Sequence, residues 1–388
     1  MKSKGLRVGL SVASLLLAAT LVVYLPQIVH ALTGAEVSWA EIGAQFERMS
    51  PALIVLMCVL WLASLWAYTY VLTSSLPGLT HPQALTLNAA GSAVSNLLPF
   101  GGAAGVAMTF AMTKGWGFPV RSVAVSTVVS GVWNTLFRFI LPAVGLIALL
   151  LSGKVLNPVV EKATWVGVLS ILALVSVVAA ALYWDPAARS LGRVLDGATR
   201  LLPAGIRPAE RWASKAVGRL RGETAGVVHG HWLGLSLGMI AFLGFQCLIM
   251  ATCLAATGAY PGPAETVAVF ALSRVLTSAV VTPSGAGIME GGTAALVIAF
   301  GQPAGAATAA ALLFGFWTYT IEIPAGGLAL GAWSLLRRRD GARNGGAAKA
   351  VETDEAEPVS GHNIAAGPED DTHEGGANGT STKRRSLY

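Results

Sequence analysis

Asn96-Leu97-Leu98-Pro99-Phe100-Gly101-Gly102 interrupts an apolar run, Ala84–Met112, that holds no charged residue, and Gly105 follows just beyond. A second run, Thr266–Phe300, is cut in the same manner by Thr282-Pro283-Ser284-Gly285-Ala286-Gly287. Proline removes an amide donor and clashes with the preceding turn, and glycine weakens a helix, so neither run continues as one helix. Each half is roughly 12–17 residues, short of the ~20 that cross a hydrocarbon core. Each run therefore reads as a re-entrant helical hairpin that enters to mid-depth, turns and leaves. Non-helical backbone at that depth is tolerated only inside protein or beside water. The competing reading is that these glycines and prolines only permit close helix packing.

The two breaks correspond. Pro99 precedes Pro142 by 43 residues, and Pro283 precedes Pro324 by 41. The helix after the first break reads Gly131-Val132-Trp133 and then Arg138; the helix after the second reads Gly315-Phe316-Trp317 and then Glu322. The glycine-to-charge spacing is the same in both, so the chain carries an internal repeat of span, hairpin and Pro-interrupted span. Residues 52–152 form the first repeat and 232–337 the second. Matched Gly/Pro breaks in two halves of opposite orientation point to a transporter-like site near the midplane.

Composition agrees. Hydrophobic residues make up 54% of the chain and charged residues 12%, about half the ~25% of a soluble domain. The fold class expected is all-α: a polytopic membrane protein with about six spanning helices and two re-entrant hairpins as an inverted repeat. The six spans are Leu10–Val29, Ala52–Leu72, Ser122–Ser152, Trp165–Trp184, Trp232–Ala256 and Ala304–Leu336. The first is too long for a cleaved signal peptide and reads as a retained anchor. Lys2, Lys4, Arg7, Lys114, Arg121, the arginines of Asp185–Gly230 and Arg337–Arg339 share one side if both termini are cytoplasmic; Arg48, Lys154 and Lys162 fall outside. The acidic loop His30–Ser50 then lies outside. Residues 185–230 form a basic cytoplasmic loop, amphipathic in Leu191–Leu202 and Trp212–Leu220, that either lies along the inner leaflet or only enforces topology. Residues 1–340 make the transmembrane unit. Residues 341–388, rich in Gly, Ala and acids, read as a disordered cytoplasmic tail. Localisation in the inner or plasma membrane follows.

Cys58, Cys247 and Cys253 have no metal-ligand spacing and read as small buried hydrophobes. His229 and His231 read as interfacial residues at a helix start. No cofactor, metal or nucleic-acid partner is expected; self-association into a homo-oligomer is compatible with the sequence. No Walker motif appears, so ATP is not a direct driver.

Charges inside the membrane are costly, so those that occur should face the interior and pair. Arg138, Arg274, Glu290 and Glu322 sit well inside apolar segments. Two are positive and two negative, so complete pairing is expected. Arg138 and Glu322 hold equivalent repeat positions, and Arg274 and Glu290 flank the second break. A helix that starts at a break offers free amides and a positive dipole end to an anion. The expected binding site is where the breaks meet: Pro99, Gly101, Gly102, Gly105, Pro283, Gly285, Gly287 and Glu290, with Arg138, Arg274 and Glu322 near. The expected partners are membrane lipids with an anionic or zwitterionic phosphate headgroup.

Asn96–Gly102 plus Gly105, and Pro283-Ser284-Gly285-Ala286-Gly287-Ile288-Met289-Glu290-Gly291, resemble the two hairpins of the lysylphosphatidylglycerol synthase/flippase-like membrane domain. The resemblance covers roughly Leu10–Leu336. It implies translocation of a lipid, aminoacylated or glycan-linked, rather than an enzymatic step. The chain departs from the family pattern where acid and arginine are common: Val106 and Thr109 follow the first turn, Asn134 stands before Arg138, and Trp317 occupies the last helix. No aminoacyl-transferase domain follows residue 340, so synthase activity is not expected. The alternatives are a membrane-embedded transferase with a lipid-linked donor and Glu290 as base, a small-solute or ion transporter, and a non-catalytic partner in envelope assembly.

Overall fold

The computed structural model describes residues 16, 19–47, 49–97, 101–153, 165, 168–173, 175–177, 180, 184–199, 212–277 and 285–335. Pro99, Pro283, Arg337–Arg339 and the tail lie outside them. The described residues are helical, with no strand among them. The order is α1 (Leu25–Thr33), α2 (Trp39–Glu47), α3 (Pro51–Ser75), α4 (His81–Leu97), α5 (Gly101–Gly115), α6 (Val120–Leu151), α7 (Asp185–Thr199), α8 (Trp212–Ala256), α9 (Pro263–Leu276), α10 (Ile288–Ala299) and α11 (Ala304–Leu335). A π-helical turn, Phe316–Thr320, lies inside α11.

Four of these helices are long and apolar enough to cross a membrane: α3, α6, Thr224–Ala256 of α8, and α11. They coincide with four of the six expected spans. The other two, Leu10–Val29 and Trp165–Trp184, are described only in part: eight of the twenty residues of each lie outside the described residues. At 1.5 Å per residue, α4, α5, α9 and α10 measure about 26, 23, 21 and 18 Å, less than the ~30 Å core. α4 packs on α5 and α9 on α10.

Local chemistry fixes the helix starts. Ser50 accepts the Leu53 amide at the head of α3, with Pro51 at the first helical position. Thr80 and Gln83 cap α4 reciprocally: the Thr80 amide donates to Gln83 Oε1 at 3.0 Å, and the Gln83 amide to Thr80 Oγ1 at 3.4 Å. Ser38 and Glu41 repeat that device at the start of α2.

Two expected loops are helical. His30–Ser50 contains the end of α1 and all of α2, because this capping pair starts a helix inside the acidic stretch. The described residues of 185–230 form α7 and the first part of α8, so His229 and His231 lie within a helix rather than at its start. The Asp196 carboxylate accepts the backbone amide and hydroxyl of Ser214, and Gly192 sits tight against Ser214. Glycines inside α8 let it close on α3: a methyl at Gly238 would come within 3.0 Å of Val71, and one at Gly234 would run into Ser74 Oγ.

The main core joins α3, α8, α9, α10 and α11 around Met57, Met250, Leu254, Phe270, Met289 and Phe314. A smaller cluster, with Leu76, Leu87 and Met112, ties α3 to α4 and α5. The two halves also touch crosswise. Gly145 of α6 lies against Ala268 and Ala271 of α9, and Gly326 of α11 lies against Ala89 and Ala93 of α4. The first arm of each short pair thus packs on the Pro-interrupted helix of the other half.

Candidate functional site

Residues of α3, α4, α6, α8, α9 and α11 enclose a cavity of about 240 Å³. A larger one, about 540 Å³, lies among α3, α4, α5 and α6. Tyr68, Asn88, Ser92, Asn96, Asn134 and Arg138 line both, so the two form one polar path. Asn88, Ser92 and Asn96 recur every four residues on α4; Ser126, Ser130, Asn134 and Arg138 do so on α6. That spacing puts each set on one helix face.

At the inner end, Asn96 Nδ2 donates to Glu322 Oε2 at 2.9 Å and to the Tyr319 carbonyl at 3.4 Å. The π turn, in which the Ile321 amide reaches back to the Phe316 carbonyl at 3.0 Å, presents Thr318, Tyr319 and Glu322 together at the cavity. Such turns concentrate at functional positions. Arg138 Nε donates to Asn134 Oδ1 at 3.1 Å.

Arg274 is 7% exposed, yet its Nε and Nη2 are buried without a hydrogen-bond partner. Its guanidinium carbon sits 5.3 Å from the ring centroids of Phe270 and Phe314 and 5.7 Å from that of Tyr319. Aromatic faces hold a cation in place, but they do not satisfy its N–H donors. Gln246, 4% exposed, leaves its Oε1 unpartnered on the same cavity. Buried polar groups are nearly always paired, so two orphans on one cavity point to a guest.

The structure brings Arg138, Arg274 and Glu322 to the smaller cavity and Gly102, Gly105 and Arg138 to the larger. Gly101 is buried at the seam between α4 and α5, against the Ser95 backbone. Gly285 and Gly287 take left-handed backbone, with φ of 73° and 84°, and line neither cavity. Glu290 accepts the Gly287 amide at 2.6 Å and packs against Gly315. It closes the start of its own helix. The complete pairing expected for the four charges fails at Arg274, because Glu290 is committed to that backbone amide and aromatic rings surround the guanidinium.

The model of the lysylphosphatidylglycerol synthase TM region matches residues 9–326. The chain belongs to that family. It is a membrane protein. No curated protein matches it in a sequence search. Of the other positions singled out in the sequence, Val106 and Thr109 line the larger cavity and Asn134 lines both, whereas Trp317 is buried in the main core and lines neither.

Sequence reasoning missed Asn88, Ser92, Gln246, Tyr68 and Tyr319. The four-residue recurrence of amides and hydroxyls in apolar segments was a usable signal for the α4 and α6 sets. Gln246 had none, because a lone amide in an apolar span marks no partner.

Proposed function

We propose that this protein moves a phosphate-bearing lipid headgroup through the joined cavities, while the acyl chains stay in the bilayer. The observation that carries the reading is Arg274. An arginine held deep in an apolar protein with free N–H donors is costly unless an anion meets it. The polar faces of α4 and α6 supply a hydrated track to it. Gly102 and Gly105 add the amino-terminal end of α5, which favours negative charge. The family is named for a lipid enzyme's membrane region, which supports a lipid as the guest.

Under this reading α4–α5 and α9–α10 are the two re-entrant hairpins, and the halves form an inverted repeat in a cell membrane with both termini cytoplasmic. Support comes from four helices too short to span, from their pairing, and from the crosswise glycine contacts. Cysteine-accessibility labelling in intact cells tests the orientation: Gly258→Cys should label from outside and Lys114→Cys should not. Labelling of Lys114→Cys from outside removes the inverted arrangement.

Reconstituted vesicles carrying fluorescent phosphatidylglycerol test the function. Protein should accelerate headgroup exchange between leaflets, read by quenching of the outer label. Rates equal to protein-free vesicles overturn the proposal.

A further inference from the structure

We infer that the headgroup is a phosphate ester bearing hydroxyls, a polyol or glycosyl phosphate, and that headgroups carrying an amine are disfavoured. The inference rests on the translocation reading and specifies its substrate class.

Two orphan groups define what the guest must offer. Arg274 Nε and Nη2 are unmet donors, and Gln246 Oε1 is an unmet acceptor on the same cavity. A phosphate oxygen satisfies the first and a hydroxyl the second. The rest of the lining suits a neutral hydroxylated group: Asn88, Asn134, Ser92, Thr318 and Tyr68 provide both donors and acceptors.

An ammonium finds less. Among the described residues, the charged ones around the smaller cavity are Arg138, Arg274 and Glu322, and the larger adds none beyond Arg138. The one carboxylate already accepts from Asn96 at 2.9 Å. Glu290, the other acid of the apolar segments singled out above, is occupied by the Gly287 amide and lines neither cavity. Two cations against one engaged carboxylate repel an ammonium and desolvate it without a counter-charge.

The test compares lipids that share the phosphodiester. Vesicles would carry labelled phosphatidylglycerol, phosphatidylinositol, phosphatidylmethanol, phosphatidylethanolamine or lysyl-phosphatidylglycerol. The first two should move about tenfold faster than the others, the size of effect expected from one buried group left unpaired. Gln246→Leu should erase the advantage of phosphatidylglycerol over phosphatidylmethanol while leaving movement of the latter. Equal rates for all five overturn this inference and leave translocation standing. If nothing moves, translocation fails, and binding of dihexanoyl forms of the same lipids to detergent-purified protein decides the headgroup question. Preference for the hydroxylated forms supports the inference, and equal or amine-favoured binding overturns it.

Discussion

The first break region, α4 and α5, has a polar face and one charge, Lys114 in the last turn of α5; the second, α9 and α10, is largely apolar and carries Glu265, Arg274 and Glu290. The first gives Asn88, Ser92, Asn96, Gly102 and Gly105 to the cavities. The second buries Val269, Phe270, Ala271, Met289 and Val297 in the main core and contributes one charged side chain to the path. The two regions therefore differ in what they offer the cavities. Under the proposed function, the first provides a wet surface along which a headgroup can exchange water for amides. The other provides a dry wall that fixes a single cation, where low dielectric strengthens its pull on an anion.

If that division is right, Arg274→Ala is the most damaging change to function. It should slow phosphatidylglycerol exchange in reconstituted vesicles by about tenfold to a hundredfold, the range for losing a hydrogen bond to a charged group. Thermal unfolding in detergent should change little. The lost cation–π contacts are worth about 2 kcal/mol when desolvated, and removing an unpaired buried charge offsets them. A wild-type rate would move the anchor elsewhere and leave the second region as scaffold.

The crosswise contacts differ in tightness. A methyl at Gly326 would run into the Ala89 carbonyl and the Ala93 methyl, whereas one at Gly145 would sit 3.0 Å from Ala268 Cα and Ala271 Cβ. Backbone does not yield as side chains do. Gly326→Ala should destabilise by about 2–3 kcal/mol and Gly145→Ala by about 1 kcal/mol, within the range for overpacking. Unfolding monitored by tryptophan fluorescence in mild detergent would show this. The reverse order would break the assignment of the tighter seam to α4 and α11.

How much of this could be read beforehand follows from range. Breaks at Pro99–Gly102 and Pro283–Gly287 are local events, and the spacing Gly131–Arg138 against Gly315–Glu322 is visible in the chain itself. The long spans follow from apolar length. The site was legible only in part. Arg138 and Glu322, expected near one another from their matched spacing, do line one cavity. Glu290 looked like a ligand for the guest, but the nearest amide took it. Gln246 and Tyr68 enter through packing of α8 and α3, and no local pattern records such distant neighbours.

Arg138 and Glu322 offer a smaller effect. They line one cavity, each with an amide partner: Asn134 at 3.1 Å for Arg138 and Asn96 at 2.9 Å for Glu322. In a double-mutant cycle, Arg138→Ala and Glu322→Ala should couple by about 0.5–1 kcal/mol in stability, as groups of one polar network do. The amide partners soften each loss, so the coupling stays below that of a directly paired, fully buried ion pair. Strict additivity would mean that the two halves contribute to the cavity independently.

Gly102→Ala should have the smallest effect, and its two readouts should move in opposite directions. Gly102 lies in the first turn of α5, lines the larger cavity, and has nothing within 4 Å of the place a methyl would occupy. Counted from Pro99 and Pro283, its counterpart is Ala286, so the substitution makes the first break resemble the second. Alanine in a helix is favoured over glycine by roughly 0.5–1 kcal/mol, and here no neighbour objects, so the melting temperature should rise slightly. The methyl would project into the path of the headgroup. Exchange of phosphatidylglycerol should slow, but by less than the roughly tenfold minimum seen for one methylene in a fitted pocket, because a cavity of about 540 Å³ leaves room. A variant that melts higher and transports more slowly ties the glycine to passage. One that melts higher at an unchanged rate assigns Gly102 to the turn alone and narrows the track to the amide faces of α4 and α6.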